Sequence, residues 1–234
     1  MKESTVTFKV GNENLNGKLF FADESKGCEI VSIHGAGSSR KERIVYLLED
    51  LAKHTPLNAG IFDFSGHGDS TGKLEESSLK KRAEEATAFL RKYSGVSPVV
   101  IGSSMGAYIA IKMLNVVTPE TIILFCPAIY SGEAYTLPFT KQFTEILRKP
   151  NSWQDTDILP LLQNFRGNLL VFIGTEDMVI PTGVIDLIDK NSSNVKKKEI
   201  VRIPKAPHAI HAFISEHPEV KEVVVAKILE YIQK

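Results

Sequence analysis

The run Val99-Val100-Ile101 stops abruptly at Gly102-Ser103-Ser104-Met105-Gly106, and helix-forming residues resume at Ala107. The pentapeptide has the form G-x-S-x-G. In such an elbow a strand turns into a helix so sharply that the central residue is strained and its hydroxyl stands clear of the sheet. Ser104 is that residue. Glycine at 102 and 106 removes side chains that would collide where helix and strand pack closely. The helix N-terminus behind Ser104 favours developing negative charge. Ser103 is the rival hydroxyl, one position off the motif's centre.

A serine hydroxyl is a poor nucleophile until a base takes its proton. The chain order that accompanies the elbow is serine, then acid, then histidine. Downstream, Gly174-Thr175-Glu176-Asp177 follows a buried apolar run, which sets Asp177 at the sheet edge where such folds hold ligands. Glu176 is the neighbouring alternative, and Asp186 and Asp189 fall inside the next helical pattern. After the last strand pattern comes Pro204-Lys205-Ala206-Pro207-His208-Ala209-Ile210-His211. His208 comes sooner after the strand and is the better base, with His211 as runner-up. The oxyanion of an acyl-transfer transition state needs N–H donors. The elbow supplies one at Met105. The glycine-containing loop His34-Gly35-Ala36-Gly37 offers a second at Ala36. In this order His34 braces that loop and is not the base.

The elements that must hold these residues are short apolar runs alternating with amphipathic patterns. Residues 5–10 and 17–21 read as an antiparallel pair. Runs at 30–33, 59–64, 99–101, 121–125, 169–173 and 199–203 suit strands covered on both faces. Helical patterns lie at 43–53, 78–93, 107–114, 181–189 and 218–232. The expected architecture is α/β, a mostly parallel eight-stranded sheet flanked by helices, with residues 1–234 as one domain. One interval breaks the alternation. Residues 128–166 carry Pro138, Pro150, Pro160 and Trp153, and too long a stretch for a structureless connection. They are expected to form a small lid of one to three short helices. Leu137, Phe139 and Trp153 could line a substrate pocket there, or merely pack the lid onto the sheet.

Composition narrows the function classes. Lysine plus arginine and aspartate plus glutamate both number 28, so there is no electrostatic case for nucleic acid or an anionic membrane as partner. No apolar stretch is long enough to span a bilayer, and the N-terminal residues lack a signal-peptide core. With only Cys28 and Cys126, the cysteines read as small buried hydrophobes, and a cytoplasmic location is expected. The histidines are scattered without metal spacing, so no metal is expected. No dinucleotide fingerprint opens a helix, so no cofactor is expected either. The oligomeric state, monomer or homodimer, is not readable.

Taken together, the stretches His34 to Gly37, Phe62-Asp63-Phe64-Ser65-Gly66-His67-Gly68-Asp69-Ser70, Gly102 to Gly106, Gly174 to Asp177 and His208 resemble the α/β-hydrolase superfamily. The sequence looks most like the small feruloyl and cinnamoyl esterases and the monoacylglycerol lipase-like enzymes. Ser65 stands where many relatives carry arginine or asparagine. The resemblance implies a structural His67 and a serine hydrolase cleaving small acyl or aryl esters through an acyl-enzyme. In that reading Ser104, His208 and Asp177 are catalytic, and Ala36 and Met105 hold the oxyanion. Thioester or amide hydrolysis by the same residues is the alternative. A non-catalytic binding module is the alternative of another class.

Overall fold

Continuous apolar runs become the inner strands of one eight-stranded sheet in the order β1-β2-β4-β3-β5-β6-β7-β8. The structure, a computed structural model, describes residues 2–37 and 39–232. Strands β1 (Lys2–Val10) and β2 (Glu13–Phe21) form the opening hairpin, turned at Gly11 with φ +57°. Then follow β3 (Cys28–Ile33), β4 (Ala59–Phe62), β5 (Ser94–Ser103), β6 (Thr121–Phe125), β7 (Asn168–Gly174) and β8 (Lys197–Ile203). β2 runs antiparallel to β1 and β4, and the pairs from β4 through β8 are parallel. β5 starts earlier than its apolar core suggests, because Ser94 pairs with Cys28 ahead of a register shift.

Helices cover both faces because each parallel crossover must return over the sheet. On one face, α1 (Glu42–His54), α7 (Ile210–Glu216) and α8 (Pro218–Ile232) bury Leu47, Leu51, Ile214 and Ile228 against Ile30, Ile123 and Phe172. On the other, α2 (Leu79–Tyr93), α3 (Met105–Lys112) and α6 (Thr182–Asn191) bury Phe89, Ile109 and Ile188 against Val31, Leu124 and Val171. The Ser78 hydroxyl caps α2 by accepting from Lys81 N–H at 3.1 Å. α7 adds a helix between the histidine loop and α8 that is not among the helical patterns of the sequence, anchored by buried Ile210, His211 and Ile214.

Between β6 and β7 the chain makes a 3-10 turn at Gly132–Ala134, α4 (Lys141–Leu147), a second 3-10 turn at Ser152–Asp155 and α5 (Leu159–Asn164). The prolines cut this stretch into more and shorter pieces than expected, since proline cannot continue a helix. Asp157 ties it to α3, accepting from Tyr108 Oη and Lys112 Nζ, each at 2.8 Å. No helix among the described residues is long and apolar enough to cross a membrane.

The sheet order has one consequence for function. From β3 the chain steps outward to β4, then crosses back to add β5 on the other side of β3. Such a reversal opens a crevice at the carboxyl ends of the two central strands. The loop after β3 and the elbow after β5 meet there, and the loops after β7 and β8 arrive from one side.

Candidate active site

Ser104 is the single residue between β5 and α3, with φ +51° and ψ −117°, a conformation L side chains rarely adopt. The surroundings hold it there. Its N–H donates to Phe125 O at 2.9 Å, and its carbonyl accepts from Ala107 N–H at 3.0 Å and Ala128 N–H at 3.2 Å. A Cβ at Gly102 would lie 2.6 Å from the Gly106 carbonyl oxygen, and one at Gly106 would collide with that of Ile33. Gly106→Ala is therefore expected to destabilise the fold by at least the usual cost of overpacking, about 1–3 kcal/mol. Denaturant unfolding reads this directly, and an unchanged midpoint would contradict the close approach of α3 to β3.

The hydrogen-bonded chain runs from the elbow to two later loops. Ser104 Oγ–H donates to His208 Nε2 at 3.1 Å, and His208 Nδ1–H donates to Asp177 Oδ2 at 2.8 Å. The carboxylate can only accept, which assigns the proton to Nδ1 and leaves Nε2 as the acceptor. The other Asp177 oxygen accepts from Val179 N–H at 2.8 Å and Ile180 N–H at 3.1 Å. The two loops are zipped together. Glu176 N–H donates to Ala206 O at 3.0 Å, Lys205 N–H to Thr175 Oγ1 at 2.8 Å, and Lys205 takes φ +62° to allow it. Glu176 is exposed, and it is Asp177 that meets His208.

Burial disfavours the ionised Asp177, but the hydrogen bonds from His208, Ile180 and Val179 outweigh it and hold its pKa below the ordinary carboxylate value. A depressed folded-state pKa contributes stability above the unfolded pKa of about 3.9, and this is lost as pH falls through the folded value. Stability should fall more steeply below about pH 4 in the wild type than in Asp177→Asn. Urea melts between these conditions and neutrality check it; parallel curves would contradict the depressed pKa.

On the opposite side, the loop after β3 lies against the elbow. A Cβ at Gly35 would sit 3.2 Å from Ser103 O and 3.3 Å from Ser104 Cβ. Ala36 follows on the exposed side, and Met105 opens α3. Phe64 N–H donates to His34 Nε2 at 3.1 Å, so His34 Nδ1–H donates to Gly35 O at 2.8 Å. Burial holds the His34 pKa well below the ordinary value, and the neutral ring braces the loop. Arg82 reinforces it from α2. This fully buried guanidinium donates to Gly35 O at 3.3 Å and to His67 Nε2 at 3.1 Å, and touches Met105 Sδ. His67 has a structural place here, not a reactive one.

Sequence patterning does not single out Arg82, because on α2 it looks like one more surface cation. Cys126 is the other omission. It follows β6 with φ +42°, and its thiol and the ligand atoms of Asp177 and His208 all lie within 4.8 Å of one another. Burial pushes the thiol pKa up to about 12. The three could offer a soft cation one ligand each, but at the expense of the Asp177–His208 hydrogen bond. Leu137, Phe139 and Trp153 are half-buried and pack on the larger core cluster. Phe139 meets Phe143 and the Arg82 guanidinium, and Trp153 lies over Gly183 of α6. His211 does not face Ser104; its ring nitrogen meets Ser103.

This sheet order, with its elbow after β5, acid after β7 and histidine after β8, defines an α/β hydrolase. The serine aminopeptidase S33 family model (Hydrolase_4) matches residues 25–156, more than half of the chain, and the chain belongs to that family. Human alpha/beta hydrolase domain-containing protein 17B is 30% identical over 129 residues, covering 53% of this chain and 42% of that protein. Protein 17C of Xenopus tropicalis is 30% identical over 131 residues, 54% of this chain and 40% of that one. The match thus spans less than half the length of these curated relatives. Among solved structures, the Pyrococcus furiosus esterase Pf2001 superposes with a TM-score of 0.68 at 21% identity, covering 98% of this chain and 92% of that one. Est1E from Butyrivibrio proteoclasticus, with ferulic acid bound, gives 0.69 at 20% identity, covering 98% and 100%. At these identities the likeness is one of fold.

Proposed function

We propose that this hydrolase is a serine carboxylesterase acting on small acyl or aryl esters through an acyl-enzyme. The observation that carries the reading is the unbroken hydrogen-bonded chain Ser104–His208–Asp177 at the strained elbow. Ser104 Oγ attacks the acyl carbon while His208 Nε2 takes its proton. Asp177 keeps the imidazole in the required tautomer and stabilises the imidazolium. The N–H groups of Ala36 and Met105 receive the oxyanion. His208 then protonates the leaving alkoxide, and water, activated by His208, releases the acid from Ser104. The test is labelling with a fluorophosphonate and mass mapping of the modified peptide. Modification at Ser104 is expected. A chain left unmodified, or modified elsewhere, overturns the reading and favours a binding module.

The family's description as serine aminopeptidases supports a second reading, amide hydrolysis by the same residues. Rates on matched ester, thioester and anilide substrates separate these chemistries. The ferulic acid held by Est1E makes aryl esters a sensible part of the panel. In the proposed enzyme residues 128–166 are the lid, and Leu137, Phe139 and Trp153 border the acyl or aryl group. Phe139→Ala and Trp153→Ala are then expected to shift acyl-chain preference, each by about 10-fold or more between short and long esters, as losing a few buried methylenes does. Labelling of Ser104 should continue. Unchanged selectivity would leave these residues as packing alone.

A further inference from the structure

The two residues that could compete with Ser104 and His208 are bonded to each other. Ser103 is the last residue of β5, and Ser104 beyond it takes φ +51°, so the two side chains meet different partners. Ser104 Oγ meets His208, whereas Ser103 Oγ meets His211 Nε2 at 2.7 Å. The other ring nitrogen, Nδ1, lies 3.3 Å from the Tyr46 hydroxyl. The ring packs on Phe125, centroids 4.6 Å apart, and Phe125 is the register partner of Ser103 across β5 and β6. Ser103 and His211 are both buried. A neutral imidazole has one N–H and one lone pair, and the two hydroxyls satisfy both. Burial, with the Arg43 charge nearby, pushes the His211 pKa down to about 3, so the ring stays neutral at working pH.

Each partner belongs to a different part of the site. Tyr46 lies on α1, which begins just after the loop carrying Gly35 and Ala36. Ser103 immediately precedes Ser104. His211 sits in the first turn of α7, directly beyond His208. The Ser104–His208 contact is itself partly open, with the His208 side chain 25% exposed, so its geometry depends on how the backbone beyond it is held. We infer that Ser103, His211 and Tyr46 form a hydrogen-bonded clamp that sets the His208 loop against the elbow, making all three positioning residues for the hydrolysis proposed above. The inference rests on that proposal for the reaction it governs.

The experiment compares the wild type with Ser103→Ala, Tyr46→Phe, His211→Phe and His211→Gln. Phenylalanine keeps a flat ring against Phe125 and removes both hydrogen bonds. Glutamine restores a polar group at the reach of Nε2. The readouts are kcat and KM on one aryl ester, the rate of fluorophosphonate labelling, and the thermal midpoint. His211→Phe and Ser103→Ala are expected to lower kcat and labelling rate by about 10- to 100-fold, as small misplacements of reacting groups do. KM should hardly change, and His211→Gln should recover most of the loss. Wild-type kcat in His211→Phe, no recovery in His211→Gln, or a loss that merely follows the folded fraction overturns the clamp. Should His211→Phe fail to fold, the single-hydroxyl deletions decide, and wild-type rates in both overturn it. A wild type unlabelled at Ser104 sinks the hydrolase proposal and the clamp's role with it. A labelled wild type with indifferent variants sinks the clamp alone.

Discussion

Ser104→Ala is expected to lower ester turnover by about 10⁴- to 10⁶-fold, the range seen when a nucleophile is removed from a serine–histidine–aspartate unit. The size follows from the arrangement. Without Oγ there is no acyl-enzyme, and His208 can at best direct a water at a carbonyl still held by the oxyanion donors. The fold should not suffer. The hydroxyl's partner is His208, a partly exposed side chain, while the elbow is held by backbone bonds to Phe125, Ala107 and Ala128. The measurement is kcat on an activated aryl ester together with loss of fluorophosphonate labelling, with the thermal midpoint as control. A variant that keeps most of its turnover excludes Ser104 as nucleophile. The neighbouring hydroxyl at 103 is a poor substitute, because it points away from His208 into a buried contact with His211.

Asp177→Asn is expected to cost about 10⁴-fold in kcat, although it changes only an oxygen to an amide nitrogen. Two bonds should survive, since an amide oxygen can still accept from Val179 and Ile180. The amide nitrogen then faces His208 Nδ1 and donates where the carboxylate accepted. That favours the other tautomer, with the proton on Nε2, and His208 can no longer take the proton of Ser104. The imidazolium formed during attack also loses its counter-charge. Steady-state kinetics check this, with Glu176→Gln as a control one residue away on the exposed side of the same loop. Equal losses in both variants would show that loop integrity, and not the Asp177 charge, is what matters.

The sequence by itself determined the parts whose physics is local. Glycine at 102 and 106 is required because α3 crosses within contact of β5 and β3, and that demand is written in adjacent residues. Apolar runs flanked by helical patterns likewise announced a parallel sheet, and Asp177 and His208 stood out because each closely follows such a run. The tertiary structure alone decided the pairings. Two serines sit side by side and two histidines lie three residues apart, and although the motif's centre and the distance from the strand favour Ser104 with His208, nothing along the chain says that Ser103 and His211 meet each other. The sharp backbone turn at Ser104 and the packing of α7 on α1 sort them into a part-buried pair and a buried one. The same holds for Arg82 and Cys126. An arginine on an amphipathic helix and a cysteine after a strand carry no local mark of the Gly35 carbonyl or the Asp177 carboxylate they approach. Those neighbours come from distant segments that only the closed sheet brings together.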